Sequence, residues 1–224
     1  MDNVLSYLRA LEQNNNREWF HAHKAAFASA SQEFETLVGD LLAALRETDA
    51  ALPLTPPKEL TFKLMRDTRL SRDKSPYNPA FRAHIAPRGK LPVPVGCFVY
   101  LRPNGRSFLG GGLFADMFAS ATAMVRSRIA ENGDAWEDIL RAPAFAQRFT
   151  VGGTALKNVP RGYDAAHPQA GYLKYKSWYL EYPVSDAQLL KPDFISFAAE
   201  TFAAMRPFNA FLNEALAGFE MPAR

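Results

Sequence analysis

A single cysteine, Cys97, stands among 224 residues. One thiol excludes an intramolecular disulfide and a thiol metal cluster, and it fits a reducing compartment, so a cytoplasmic location is expected. Histidine is almost as scarce, with four in the chain. His21 and His23 are two apart on a helical stretch and point to different faces. His84 and His167 are remote, and no His-Glu-x-x-His pattern occurs, so no metal is expected. No apolar run approaches the ~20 residues that span a bilayer. The start Met1-Asp2-Asn3 lacks a basic region followed by an apolar stretch, so neither a membrane partner nor a secretory leader is expected. The phosphate-loop and dinucleotide glycine patterns are missing, as is a G-x-S-x-G elbow, and no cofactor is expected.

What is present is an ordinary globular balance, 48% apolar and 22% charged, with rings supplied mainly by 17 Phe against 3 Trp. The net charge of +3 hides an uneven distribution. Residues 1–57 carry four Lys/Arg against eight Asp/Glu, a net of −4. Residues 58–90 carry nine against three, a net of +6, and residues 91–224 carry thirteen against twelve. The basicity is local, and a local positive field draws anions over about 8–10 Å at physiological salt.

Residues 2–12 read as a short helix with Val4, Leu5, Leu8 and Leu11 on one face. Asn14-Asn15-Asn16 breaks it and offers a cap to a long amphipathic helix from Arg17 to about Thr48. The run Leu52-Pro53-Leu54-Thr55-Pro56-Pro57 ends that helix. Alternation predicts strands over 60–65 and 81–85, a mostly apolar run with β-branched and aromatic residues predicts a central one over 93–101, and Asn104-Gly105 predicts a hairpin into a strand at 106–109. Helices are predicted at 115–131, 135–141 and 143–149, strands at 154–159 and 173–182, a short helix opened by Ser185-Asp186, and a last helix from Pro192 interrupted or kinked at Pro207. Hairpin-connected strands framed by helices give an α+β class, a mostly antiparallel sheet in a single domain over 1–224, with long N-terminal and C-terminal helices.

The densest chemistry lies between two predicted strands. Arg66, Asp67, Arg69, Ser71, Arg72, Asp73, Lys74, Ser75 and Tyr77 put four fixed cations, two carboxylates and three hydroxyls into twelve residues. Guanidinium forks match phosphate or carboxylate oxygens, and lysine adds a point charge. The same residues also make a self-paired, solvated loop if Asp67 and Asp73 each neutralise an arginine, which still leaves two cations over. Gly110, Gly111 and Gly112, read as the join between a strand and a helix, form either an anion-binding nest or a plain turn. Lys174 and Lys176 share one face of the late strand with Trp178, either to track an anionic ligand or to blunt an edge. Trp19 is read as core packing, and Cys97 as an inert core residue.

Several strings resemble a bacterial and fungal family known as DUF2461, a domain of unknown function. They are Asn14-Asn15-Asn16-Arg17-Glu18-Trp19-Phe20; Arg66-Asp67-Thr68-Arg69 with Ser71, Asp73-Lys74 and Pro76-Tyr77; Phe108-Leu109-Gly110-Gly111-Gly112; Pro160-Arg161-Gly162-Tyr163-Asp164 with His167-Pro168; and Leu173-Lys174-Tyr175-Lys176-Ser177. The resemblance runs through nearly the whole chain in a consistent order and implies a single soluble domain. It brings no activity, substrate or catalytic residue. Three functions stay open at this point. The first is a domain that binds a phosphate-bearing or other anionic ligand, a small molecule or a nucleic acid, through the basic loop. The second is an enzyme acting on such a ligand with Asp67, Asp73, Tyr77 or His84 as acid or base. The third is a structural or interaction protein. The first reading expects the loop, the glycines and the two lysines to share one hollow.

Overall fold

The computed structural model describes residues 1–114 and 116–222. In chain order the elements are α1 (Asp2–Gln13), α2 (Arg17–Ala22), α3 (Lys24–Arg46), α4 (Pro57–Leu60), β1 (Phe81–Ile85), β2 (Cys97–Leu101), β3 (Ser107–Leu113), α5 (Ala119–Glu131), α6 (Gly133–Arg141), α7 (Pro143–Ala146), α8 (Ala170–Leu173), β4 (Trp178–Val184), α9 (Asp186–Leu189) and α10 (Phe194–Ala215). The strands form one antiparallel sheet in the order β1-β2-β3-β4. The class is α+β, as the spacing of apolar residues indicates. By contact the chain divides into two compact units. One comprises Met1–Lys90, Phe98–Leu109 and Pro183–Glu200; the other comprises Leu91–Cys97, Gly110–Tyr182 and Thr201–Arg224.

In the first unit, Val4, Leu5, Leu8 and Leu11 recur at helical spacing on α1 and are buried, as are Phe34, Val38 and Leu41 on α3. Phe34 meets Phe81 of β1 at 5.2 Å between ring centroids. Strand alternation then sorts the sheet residues of this unit. Phe81, Ala83 and Ile85 of β1, Val99 and Leu101 of β2 and Leu109 of β3 are buried. The alternate positions Arg82, Phe98, Tyr100 and Phe108 are half-buried, while His84 among them is buried. The β2–β3 hairpin turns at Asn104 and Gly105, with φ of 65° and 68°. Both are positive, as the tight two-residue turn requires.

The long helix predicted over 17–48 is two helices. At His23 the backbone leaves helical values (φ −111°, ψ 29°), ending α2 and opening α3. The His23 ring stacks on Trp19 at 4.1 Å, with Nδ1 2.8 Å from the Trp19 carbonyl oxygen. The strand predicted over 60–65 is reduced to two isolated antiparallel bridges, Thr61 with Ala83 and Met65 with Tyr77. Between them one side advances four residues and the other six, so the ribbon bulges where Pro79 has no N–H to donate. The strand predicted over 93–101 starts only at Cys97, because Pro92 and Pro94 interrupt the run before it. Cys97 itself is half-buried rather than sealed in the core.

The second unit is built around Trp136 of α6, fully buried and in contact with Tyr172, Phe208 and Phe211 at 5.3, 5.5 and 5.2 Å. Pro207 lies within α10 without ending it. Of the strand predicted over 154–159 only the bridge of Ala155 with Tyr175 is present, preceded by a second one, Gly152 with Tyr179. The one predicted over 173–182 begins at Trp178. Side chains explain the late start. Arg126 of α5 donates to the carbonyls of Leu173 and Tyr175, Thr122 to that of Lys176, and Trp178 Nε1 to that of Tyr172. These bonds occupy the carbonyls of Leu173, Tyr175 and Lys176, and pairing before β4 is confined to the bridge of Tyr175 with Ala155. Among the described residues, no helix is long and apolar enough to cross a membrane.

Candidate functional site

The basic loop is the capped end of the bulged ribbon. Arg66 N donates to the Pro76 carbonyl at 2.9 Å and Asn78 N to that of Leu64 at 2.7 Å, closing its base. Asn15, in the corner between α1 and α2, reaches across 62 residues: its Nδ2 donates to Tyr77 O at 2.8 Å, and Tyr77 N donates back to its Oδ1 at 3.1 Å. Asn16 caps α2 by accepting from Trp19 N at 2.8 Å. That cap sets the helix so that Phe20 stacks on the Tyr77 ring at 4.2 Å, 14° from parallel. Two strings far apart in sequence, 14–20 and 66–77, therefore meet at the foot of the loop.

Within the loop Arg66 is an internal strut. It donates to Asp73 at 2.5 Å, to the Ser75 carbonyl at 3.2 Å and to Ser71 Oγ at 3.3 Å. Asp67 accepts from Arg69 through Nε, Nη2 and the backbone N–H. Lys74 Nζ donates to the Thr68 carbonyl at 2.9 Å, which orients its charge without cancelling it. Arg72 is exposed. Neither Arg72 nor Lys74 takes part in an ion pair among the described residues. Four cations against two carboxylates leave the loop at +2.

The electrostatics suit anchoring better than proton transfer. The Ser75 backbone N–H and hydroxyl, then Arg66, hold the Asp73 carboxyl well below the ordinary carboxylate range. The Arg69 guanidinium and then its N–H lower Asp67 in the same way. Carboxylates held so low carry no proton near neutral pH and make poor general bases. Tyr77 is 3% exposed, its ring part of the aromatic cluster at the stem. His84 is buried on β1.

The seven predicted residues Arg66, Asp67, Arg69, Arg72, Asp73, Lys74 and Tyr77 thus belong to one substructure of the first unit. Gly110, Gly111, Gly112, Lys174 and Lys176 belong to the second. The glycines are not a strand-to-helix turn, as the sequence suggested, but lie inside β3. A Cβ at Gly111 would stand 3.0 Å from Asn209 Oδ1, and one at Gly112 (φ +91°) only 2.3 Å from the Trp178 carbonyl oxygen. At Gly112 the positive φ and the backbone oxygen together require glycine. Lys174 caps the C-terminal end of α8 and Lys176 sits in a bend before β4, so the two do not share a strand face. Lys176 Nζ is 3.8 Å from Asp116.

An open hollow of about 460 Å³ lies in the second unit beside the start of α6, where Asn132, Asp134, His167 and Gln169 contribute to its lining. His167 accepts at Nδ1 from Gln169 N, and its Nε2 faces the Ala130 carbonyl at 3.1 Å, so the ring is spent on structure. Among the described residues, no group of three or more His, Cys, Asp or Glu side chains is placed to hold a metal ion.

The sequence reading missed Asn15 as the loop's clamp and the outward rings Phe98, Tyr100 and Phe108. The first had a signal, the triple asparagine, but nothing named its partner. Phe98 and Tyr100 lie in an apolar and aromatic run and Phe108 in the returning strand, and neither stretch assigns them a face.

A family model described as "Conserved hypothetical protein (DUF2461)" matches residues 3–211. The chain belongs to that family, as the motif strings indicated. No curated protein matches the chain, and no solved structure does.

Proposed function

We propose that the protein binds a phosphate-bearing or similarly anionic ligand at the 66–77 loop. The observation that carries this reading is the division of labour among the four cations. Arg66 and Arg69 are spent on Asp73 and Asp67, which shapes the loop, while among the described residues Lys74 is tethered only to carbonyl oxygens and Arg72 has no acid. A loop that exists only to be solvated has no need of two uncompensated charges on a braced frame. A frame of fixed shape lowers the ordering cost of binding. The clamp by Asn15 and the Phe20–Tyr77 stack support the same view, because they fix the stem from which the charges project.

The test uses calorimetric titration of inorganic tripolyphosphate at low salt into the wild type and into Arg72→Ala/Lys74→Ala. The double variant should bind roughly tenfold or more weakly, since each lost charge-assisted contact is worth about 1.5 kcal/mol. Its melting temperature should change by no more than a few degrees, because both side chains are exposed and Lys74 bonds only to carbonyls of its own loop. No binding by the wild type, or equal binding by both proteins, overturns the reading.

A further inference from the structure

On β2 and β3 of the first unit, the positions that alternate with the core carry rings where an outer face ordinarily carries polar residues, while β1 places Arg82 and the buried His84 there. Phe62, Phe98, Tyr100 and Phe108 are each half-buried and form a chain of contacts. Phe62 meets Phe98 at 6.2 Å, Phe98 meets Phe108 at 6.1 Å, and Phe108 stacks on Tyr100 at 4.8 Å, 14° from parallel. Arg82 lies over the Phe62 ring at 5.5 Å and donates to the Lys63 carbonyl at 3.0 Å. No ion pair among the described residues includes Arg82, and its Nε is buried without a hydrogen-bond partner.

We propose that this face is a stacking platform for the bases of a single-stranded nucleic acid, whose phosphates meet Arg82 and the basic loop. The inference rests on the anion-binding reading above and names its ligand. Charge complementarity selects the occupant. The platform's edge strand and the ribbon that carries the loop both come from residues 58–90, the +6 segment of the chain. Phe62 precedes the loop by four residues and Arg82 follows Tyr77 by five, so rings and cations issue from one piece of chain. A protein partner with an apolar patch would gain nothing from that field, and a duplex keeps its base faces stacked away from any platform. Unpaired bases offer π-faces to rings and phosphates to cations at once.

The experiment measures fluorescence anisotropy of labelled oligo(dT) and oligo(U) of about 12 nucleotides, within the usual site size for such surfaces. An abasic strand of equal length, a duplex, and unlabelled tripolyphosphate as competitor complete the set. The base-bearing strands should bind the wild type at least tenfold more tightly than the abasic strand or the duplex. Tyr100→Leu and Phe108→Leu, checked by thermal melting, should each lose roughly tenfold of that margin and leave the tripolyphosphate affinity unchanged. The comparison of strands on the wild type stands even if a ring variant does not fold. Equal affinity for base-bearing and abasic strands, or for the duplex, overturns the platform while leaving the anion site. Failure of tripolyphosphate and every strand to bind overturns both. A dimer in sedimentation that Tyr100→Lys dissociates would give the face to a second copy of the chain and also overturn the inference.

Discussion

The side-chain amide of Asn15 pairs with both backbone groups of Tyr77, donating to its carbonyl and accepting from its N–H, as a neighbouring strand would. An asparagine can do this because it carries one donor and one acceptor in a plane, the same pair a peptide offers. Replacing it by Ala leaves two backbone groups of a buried residue without partners. Asn15→Ala should cost about 2 kcal/mol, a fall of roughly 4–8 °C in melting temperature, and hydrogen exchange at the Tyr77 amide should accelerate. An unchanged exchange rate would remove the clamp from the account.

Glu12 gives the acid limb of stability a named contributor. It accepts from Arg106 at 2.9 and 2.5 Å and from Arg102 at 2.5 Å. Hydrogen bonds from Arg106 and then Arg102 pull its carboxyl down to about 2 from an ordinary 4.5. A depressed value in the folded state means the stabilisation is full above pH 4.5 and is lost as pH falls toward 2. Glu12→Gln should therefore be less stable than wild type by about 1–2 kcal/mol at neutral pH, discounted for partial exposure. In denaturant melts the gap should narrow steadily below pH 4.5. A gap independent of pH would assign it to packing.

Gly112 and Gly105 both have positive φ, 91° and 68°, yet their surroundings differ. A Cβ at Gly112 meets the Trp178 carbonyl oxygen at 2.3 Å and Phe208 at 2.8 Å, whereas one at Gly105 meets nothing within 4 Å. Gly112→Ala should cost about 3–5 kcal/mol or prevent folding, and Gly105→Ala only about 1 kcal/mol. Equal effects on the melting temperature would refute the steric explanation.

Tyr7 is 5% exposed, and its hydroxyl has no hydrogen-bond partner among the described residues. Burial, and then the neighbouring Tyr77, push its ionisation far above the ordinary phenol range. Removing an unpaired buried hydroxyl relieves a desolvation cost. Tyr7→Phe is expected to hold or raise stability, by up to about 1 kcal/mol, and a clear loss in a thermal melt would mean the hydroxyl has a partner after all.

Much of the fold is legible because its signals are local. The apolar stripe of α1, the Ser185 cap that accepts from Gln188 N, and the Asn104-Gly105 turn each depend on a few adjacent residues. The misread segments were decided at a distance. Leu60–Met65 alternates like a strand, but the bulge at Pro79 opposite allows only two bridges. Lys174–Ser177 alternates as well, yet Arg126 and Thr122 claim the carbonyls of Tyr175 and Lys176. Gly110–Gly112 reads as a turn because nothing in sequence announces that Asn209, Phe208 and the Trp178 backbone press against it. The charge excess of the loop is a matter of composition and survived intact. The assignment of Asp73 to Arg66 and Asp67 to Arg69, and the clamp from Asn15, required coordinates.

The polypeptide passes from one compact unit to the other at 90/91, 97/98, 109/110, 182/183 and 200/201, three times within a strand and once inside α10. Neither half is a contiguous stretch of gene. No single cleavage, truncation or fusion junction separates one from the other as an intact fragment. Dissecting this protein by point substitution is consequently the only route that leaves both halves whole.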